Sequence, residues 1–423
     1  MKAKKVLSIV MAATMVLGLT ACGGSGGKAT VGEDGRKIIR VATWRKNDQV
    51  YYEEIERRFE EKYPEYDVQL EFNADEVSYE QNINTDLVCR TAPDVFDLHA
   101  SGQIQMYGEE GLIVDQTDME WTKNINENAK ATCTWNGKSY AFPVNYNYFG
   151  FLYNKEIFEA EKLEIPQTPE ELVEVVNKLK EKGYGGISYS GLTNGTKIVD
   201  AALIIELGTE KYNELLQGID NGSVTDFLSY EGVETALKTA QYYTKSDIWY
   251  KGFKDTSYEP SLSLFVQKKA AIVFCGAYIY GEKEELIPGI DAGFFPIPTY
   301  SNNGVSYAEV GQCSCISATS ANIEGAKLWV EFLATPEISE YLCTSSCTMS
   351  TLEGATPTFA EAEMLLNSCS DYGLFKSFYT QNAMYYDTEL KALKDGVFYF
   401  GDDYKQHVDK LNQRLKDEDI KNH

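Results

Sequence analysis

The chain has 423 residues, 43% of them hydrophobic and 13% aromatic, with 39 Lys and Arg against 64 Asp and Glu and a formal net charge of −25. A surface this acidic repels nucleic acid and anionic lipid head groups, and suits a neutral or cationic ligand. The length exceeds what one hydrophobic core serves, so two lobes or domains are expected.

The first residues give an address. Lys2, Lys4 and Lys5 form a basic start, Val6 to Leu17 an apolar core, and Leu19-Thr20-Ala21-Cys22 a small-residue cleavage site ending in cysteine. This reads as a lipoprotein signal peptide over 1–21, with Cys22 acylated and Gly23 to Gly27 opening a flexible tether over 22–36. At roughly 0.8 kcal/mol per buried CH₂, two or three acyl chains hold such a protein on the membrane. Cleavage removes three lysines and leaves 36 basic residues against 64 acidic ones, a charge of about −28. No other run approaches the ~18 apolar residues of a membrane span.

Nine cysteines include Cys22. The others are Cys89, Cys133, Cys275, Cys313, Cys315, Cys343, Cys347 and Cys369. They lack the density of a disulfide scaffold, and Cys313 and Cys315 point to the same side of a strand, so mostly buried free thiols are expected. With only His99, His407 and His423 and no CxxC pair, no metal site is expected.

Along the chain, Lys37 to Trp44 alternates as a strand, and Tyr52, Ile55, Phe59 and Tyr63 recur at helical spacing until Pro64. Val68, Leu70 and Phe72 mark a second strand, Ile83, Leu87 and Val88 a second helix, and Asp94 to Leu98 a third strand. Strand, helix, strand, helix, strand is the pattern of a parallel α/β sheet, whose ligands sit beyond the carboxyl ends of the strands. Asn136-Gly137 signals a hairpin turn, and Tyr140 to Phe142 before Pro143 reads as extended. The polar and aromatic mixture Asn145 to Tyr148 then precedes a new strand, Phe149 to Tyr153, which makes 143–148 the candidate hinge and ligand floor. Thr168-Pro169-Glu170-Glu171 is a capping box that opens a helix running to Gly183. Phe294 to Pro298 reads as a return crossover, Val310 to Ser317 as a strand, Asn322 to Leu333 as a helix, and Cys343 to Gly354 as a third crossing.

Several of these stretches, in this order, resemble the bacterial extracellular solute-binding proteins of the sugar-binding family 1 type. They are GK-x-YA-x-P at Gly137 to Pro143, LYNKEIF at Leu152 to Phe158, PDV at Pro93 to Val95 with G-L-x-x-D at Gly111 to Asp115, P-x-T-x-x-E-L at Pro166 to Leu172, and SLFVQKKAAIVFCGAYIY at Ser263 to Tyr280. In the last stretch Gln267-Lys268 replaces the family's glycine, and Tyr278 stands at its tryptophan position. The resemblance covers most of 37–415. It implies an α/β, two-lobed, periplasmic-binding-protein-like fold of class II type, each lobe a mostly parallel sheet flanked by helices with the ligand cleft between them. The lobes are expected at 37–144 plus 292–345 and at 145–291 plus 346–423.

Catalysis needs a nucleophile with an oriented base or paired carboxylates in a pocket. Neither is legible, and there is no GxSxG, P-loop or HExxH, so no enzyme and no cofactor are expected. Binding a neutral sugar needs flat apolar faces and groups that meet hydroxyls. The candidates are Trp44 and Arg45 after the first strand, His99 and Ser101 after the third, Asn145 and Tyr146 on the crossover, Trp249, Tyr278, and Glu309 before the returning strand. Tyr385 and Tyr386 offer a further ring by family position. The resemblance implies a monomeric, lipid-anchored binding subunit of an ABC importer that delivers a sugar or oligosaccharide to membrane permease subunits. A polyamine or peptide ligand on the same fold, or a surface glycan-degrading lipoprotein, are the alternatives.

Overall fold

The computed structural model describes residues 30–73, 76–301, 305–367, 371–375 and 383–416. Cys22, the signal peptide, the start of the tether, Cys369 and the side chains of Tyr385 and Tyr386 lie outside what is described.

The chain starts as its periodicity dictates. β1 (Lys37–Thr43) leads to the helix Gln49–Lys62, which buries Tyr52, Ile55 and Phe59 on one stripe; β2 (Tyr66–Phe72), the helix Glu76–Cys89 and β3 (Val95–Leu98) follow. Both β2 and β3 pair parallel to β1, as strand–helix–strand connections require. The hairpin of β4 (Thr134–Trp135) and β5 (Lys138–Ser139) turns at Asn136 and Gly137, both at positive φ, 48° and 74°.

β6 (Ala141–Asn154) then runs 14 residues without a break. The expected crossover after Pro143 is therefore a change of neighbours within one strand, and Pro143 is tolerated inside it because the ladder is irregular there. β7 (Ile272–Gly276) and β8 (Ala292–Phe295) pair with the far end of β6, from Phe149 to Asn154. β9 (Val305–Ile316) returns antiparallel to β6, meeting β3 at its end and β11 (Asp371–Phe375) at its start. Between them in sequence, β10 (Met349–Ser350) pairs with Tyr146 and Asn145 of β6, inside the stretch expected to make a third crossing. Among the described residues all but the hairpin strands form one nine-stranded sheet.

Strand directions explain the architecture. On the first side β1, β2, β3 and β6 share one direction and β9 opposes them; on the second side β7, β8, β9 and β11 share a direction and β6 opposes them. Each mostly parallel half is thus crossed by a strand that arrives from the other half and runs against it, and the two-residue β10 also lies antiparallel to β6 at the crossing.

Three apolar clusters pack on this sheet. Phe59, Phe142 and Trp329 belong to the first, on the β1 side. Leu172, Ile204, Phe151 and Phe398 belong to the second, on the β7 side of the same face. A third, with Tyr79, Phe96, Tyr148, Phe265 and Val273, runs beneath both halves. Phe295 and Ile297 pack in the second cluster, so the chain returns along β9 rather than at the 294–298 segment.

Candidate functional site

The long strands β6 and β9 slip against each other at the crossing. Pro143 pairs with Cys313, Asn145 with Gln312, and Tyr146 with Val310, which leaves Val144 on β6 and Gly311 on β9 as extra residues. An extra residue reverses which alternate side chains face each side. Before it Phe142 and Val144 enter the first cluster; beyond it Tyr146 and Tyr148 enter the third. Asn145, Asn147 and Phe149 therefore take the opposite face, level with Tyr307, Glu309 and Gly311. That face lies between the first and second clusters.

Two amides form its floor. Asn145 and Asn147 are 4% and 8% exposed. A Cβ on Gly311 would lie 2.8 Å from Asn145 Oδ1 and 3.0 Å from Asn147 Nδ2, so the bare backbone of Gly311 is what lets both amides lie over it. Asn147 Oδ1 is buried with no hydrogen-bond partner among the described residues. Such a group costs about 1–3 kcal/mol until something donates to it.

The first half contributes the loops after β1 and β3. The Trp44 ring lies 4.5 Å from His99 and 5.6 Å from Tyr79, and His99 Nδ1 is 3.1 Å from the Gly311 carbonyl oxygen. Arg45 Nε donates to Asp48 Oδ2 at 2.6 Å. Burial works to lower the Arg45 pKa, but the Asp48 carboxylate outweighs it and the net shift is upward. Ser101 caps the helix Gly102–Glu109, accepting from the Gln103 amide at 3.4 Å.

The second half contributes rings and one ion pair. Lys197 Nζ sits 4.4 Å from the centroid of the Phe149 ring and 2.7 Å from Glu309 Oε2, while the Tyr307 hydroxyl donates to the other Glu309 oxygen. Tyr278 meets Phe149 edge to face, centroids 6.2 Å apart at 67°, and lies 6.3 Å from Tyr258. Burial pushes the Tyr278 phenol well above its ordinary range, so it stays neutral. The two halves touch where Asn47 Nδ2 donates to Glu282 Oε2 at 2.7 Å. Burial raises the Glu282 carboxyl above its usual value.

Of the residues that the sequence points to, Asn145 and Glu309 lie on this face, Tyr278 reaches it through Phe149 and His99 through the Gly311 carbonyl, while Arg45 and Ser101 follow the same first-half strands and Trp44 packs against the third cluster beside His99. Two point elsewhere. Tyr146 is turned by the Val144 bulge into the third cluster, 7% exposed and 5.9 Å from the Tyr148 ring. Trp249 is 5% exposed inside the second cluster, packed among Tyr189, Phe253 and Phe398; it is core, not a ring over the cleft. Asn147, inside the expected 143–148 floor, completes the face together with Phe149, Lys197 and Gly311, to which the sequence does not point as ligand contacts. A glycine inside a strand is the recognised sign of a bulge, whereas nothing local points Lys197 at Glu309, 112 residues away. No group of three or more His, Cys, Asp or Glu able to hold a metal occurs among the described residues. The arrangement offers neutral amides, flat rings and a charge pair that cancels itself.

A family model described as bacterial extracellular solute-binding protein matches residues 42–340. Among curated proteins the chain is 24% identical over 297 residues to the melibiose/raffinose/stachyose-binding protein MelE of Bacillus subtilis, covering 67% of each. It is 22% identical to the multiple sugar-binding protein of Streptococcus mutans, covering 77% of each. Among solved structures it resembles the apo form of RafE from Streptococcus pneumoniae, with a TM-score of 0.68 at 19% identity over 94% of this chain and 100% of the other. RafE in complex with raffinose gives the same TM-score of 0.68 at 20% identity, over 91% and 99%.

Proposed function

The chain belongs to the bacterial extracellular solute-binding proteins, and on that premise we propose that it is the sugar-binding component of an ABC importer. The observation that carries this reading is the face between the first and second clusters. Phe149 and Tyr278 offer rings there, with Trp44 and His99 beside it in the first half, Asn145 and Asn147 offer amides, and Lys197 and Glu309 neutralise each other, which suits an uncharged polyol. Magnitudes require all of these parts. A pyranose face of about 50 Å² on one ring yields around 1 kcal/mol at 25 cal/mol per Å², whereas micromolar affinity needs about 8 kcal/mol. Several rings and directional hydrogen bonds must act together.

The family's location is extracytoplasmic, and its relatives are binding proteins rather than enzymes. Among the described residues no helix is long and apolar enough to cross a membrane. We assign membrane attachment to an acylated Cys22, on the cleavage-site pattern Leu19-Thr20-Ala21-Cys22, with 22–36 as tether. The monomeric protein closes its two lobes on the ligand, the first built on β1, β2, β3 and the start of β6 and the second on β7, β8 and the end of β6, and the closed form engages the permease.

Calorimetry and thermal-shift measurements with melibiose, raffinose and stachyose, and with spermidine and short peptides as contrasts, test the reading. Stabilisation by a sugar that is recovered intact supports it. Released monosaccharide, or binding of the polyamine or peptides alone, would sink it.

A further inference from the structure

On the third-cluster side of β9, Cys313 meets the segment that follows the short helix Glu127–Ala131. Cys133 Sγ lies 3.2 Å from Cys313 Sγ, in contact but not bonded, across 180 residues of chain. Both side chains are buried, 3% and 0% exposed. Cys315 faces the same way two positions on, with its sulfur 4.0 Å from the Cys313 carbonyl oxygen. Neighbouring positions on one face of a strand hold their Cβ atoms too far apart to bridge, so Cys313 is matched to Cys133 and not to Cys315.

We propose that Cys133 and Cys313 form a disulfide in the exported protein. The proposal rests on the extracytoplasmic location, where thiols in contact meet an oxidising environment, and not on the identity of the ligand. The oxidant is a disulfide, either a thiol-disulfide oxidoreductase or oxidised glutathione. One cysteine thiolate attacks it and forms a mixed disulfide, releasing one thiol. The second thiolate then displaces the other oxidant sulfur. The new S–S bond forms as the oxidant's breaks; two protons and two electrons leave the cysteine pair and appear as two thiols on the reduced oxidant.

The reaction belongs to folding. In the finished structure burial pushes the Cys313 thiol well above its ordinary range, which suppresses the thiolate that exchange requires. Once closed, the bridge is sealed from reductant by the same burial. It ties the β4–β5 region to β9 two residues beyond the Gly311 bulge, within the first half. It therefore stiffens the base of one jaw without fastening the two jaws together.

The test uses the full exported chain purified without reductant. Tryptic peptides 131–138 and 284–327 are expected to migrate as one cross-linked species that dithiothreitol separates, and the link is expected to survive Cys315→Ser. Under denaturant, two fewer thiols should titrate than after reduction. Cys133→Ser, Cys313→Ser and the double variant should each lower Tm by about 3–6 °C, with the double no worse than either single. Affinity for a bound sugar should not move. Full thiol titre before reduction, or a link lost with Cys315→Ser, overturns the proposal whether or not the variants fold.

Discussion

The two faces of the crossing strands share one backbone ladder and have opposite chemistry. On one side Tyr146, Tyr148, Ala308 and Val310 are sealed in the third cluster, none more than 7% exposed. On the other side the same strands carry Asn145, Asn147, Glu309 and the bare backbone of Gly311. Strand alternation separates them, and one extra residue per strand, Val144 and Gly311, resets that alternation so that beyond the bulge the polar side chains take the face that Phe142 and Val144 hold before it. Stability and ligand binding should therefore be separable by changing neighbouring residues.

The largest expected effect is on the sealed face. Tyr148 is 2% exposed, and Tyr148→Ala should cost about 3–5 kcal/mol in denaturant unfolding while any folded protein keeps its sugar affinity. A loss of affinity with stability intact would reverse the assignment of the faces.

Next in size is a buried polar group with no ligand to serve. Beyond its bulge β9 turns Gln312 Nε2 and Ser314 Oγ to Asp97, at 2.7 and 2.6 Å. Asp97 is 2% exposed. Burial raises its carboxyl from 3.8 to about 6, against the lowering effect of its hydrogen bonds from Ser314, Thr43 and Gln312. The native state thus holds this proton more tightly than the unfolded chain. The group's contribution is complete below pH 3.8 and is lost as pH rises to about 6. About two units correspond to about 3 kcal/mol. Unfolding curves from pH 4 to 7 should show wild type losing that much relative to Asp97→Asn; parallel curves would refute the buried charge.

Period and caps made much of the fold legible. The strand–helix alternation from Lys37 to Leu98, the Asn136-Gly137 hairpin and the Thr168 cap, whose hydroxyl accepts from the Glu171 amide at 3.2 Å, follow from local rules. Pro143 argues against a continuous strand, so the sequence reads as a break where β6 runs on without one. Tyr146 cannot share the cleft with Asn145, because strand alternation puts adjacent residues on opposite faces. Trp249 shows the limit of composition, since a large ring serves a core and a cleft equally well. Lys197 reaches Glu309 only through tertiary packing.

A smaller change tests the floor itself. Gly311→Ala places a Cβ 2.8 Å from Asn145 Oδ1 and 3.0 Å from Asn147 Nδ2, so both amides must shift. Sugar affinity should fall ten- to a hundredfold, with a stability cost of about 1–2 kcal/mol. Calorimetry reading wild-type affinity would mean that the amides do not touch the ligand.

The subtlest test reads the two faces against each other in a single variant. Asn147 Oδ1 is buried without a partner among the described residues, 8% exposed with its residue. In the empty protein that acceptor is a liability, and a donor from a ligand hydroxyl would relieve it. Asn147→Ala removes the acceptor, so the unliganded protein should unfold at the same denaturant midpoint or slightly above it. The sugar, losing a hydrogen bond of about 1 kcal/mol, should bind about fivefold more weakly. Each half of that outcome has a bland alternative: a core residue would lose stability, and a rim residue would leave affinity alone. Stability held and affinity lost together is the signature of an acceptor kept unsatisfied for the ligand, and either bland result would return Asn147 to the scaffold.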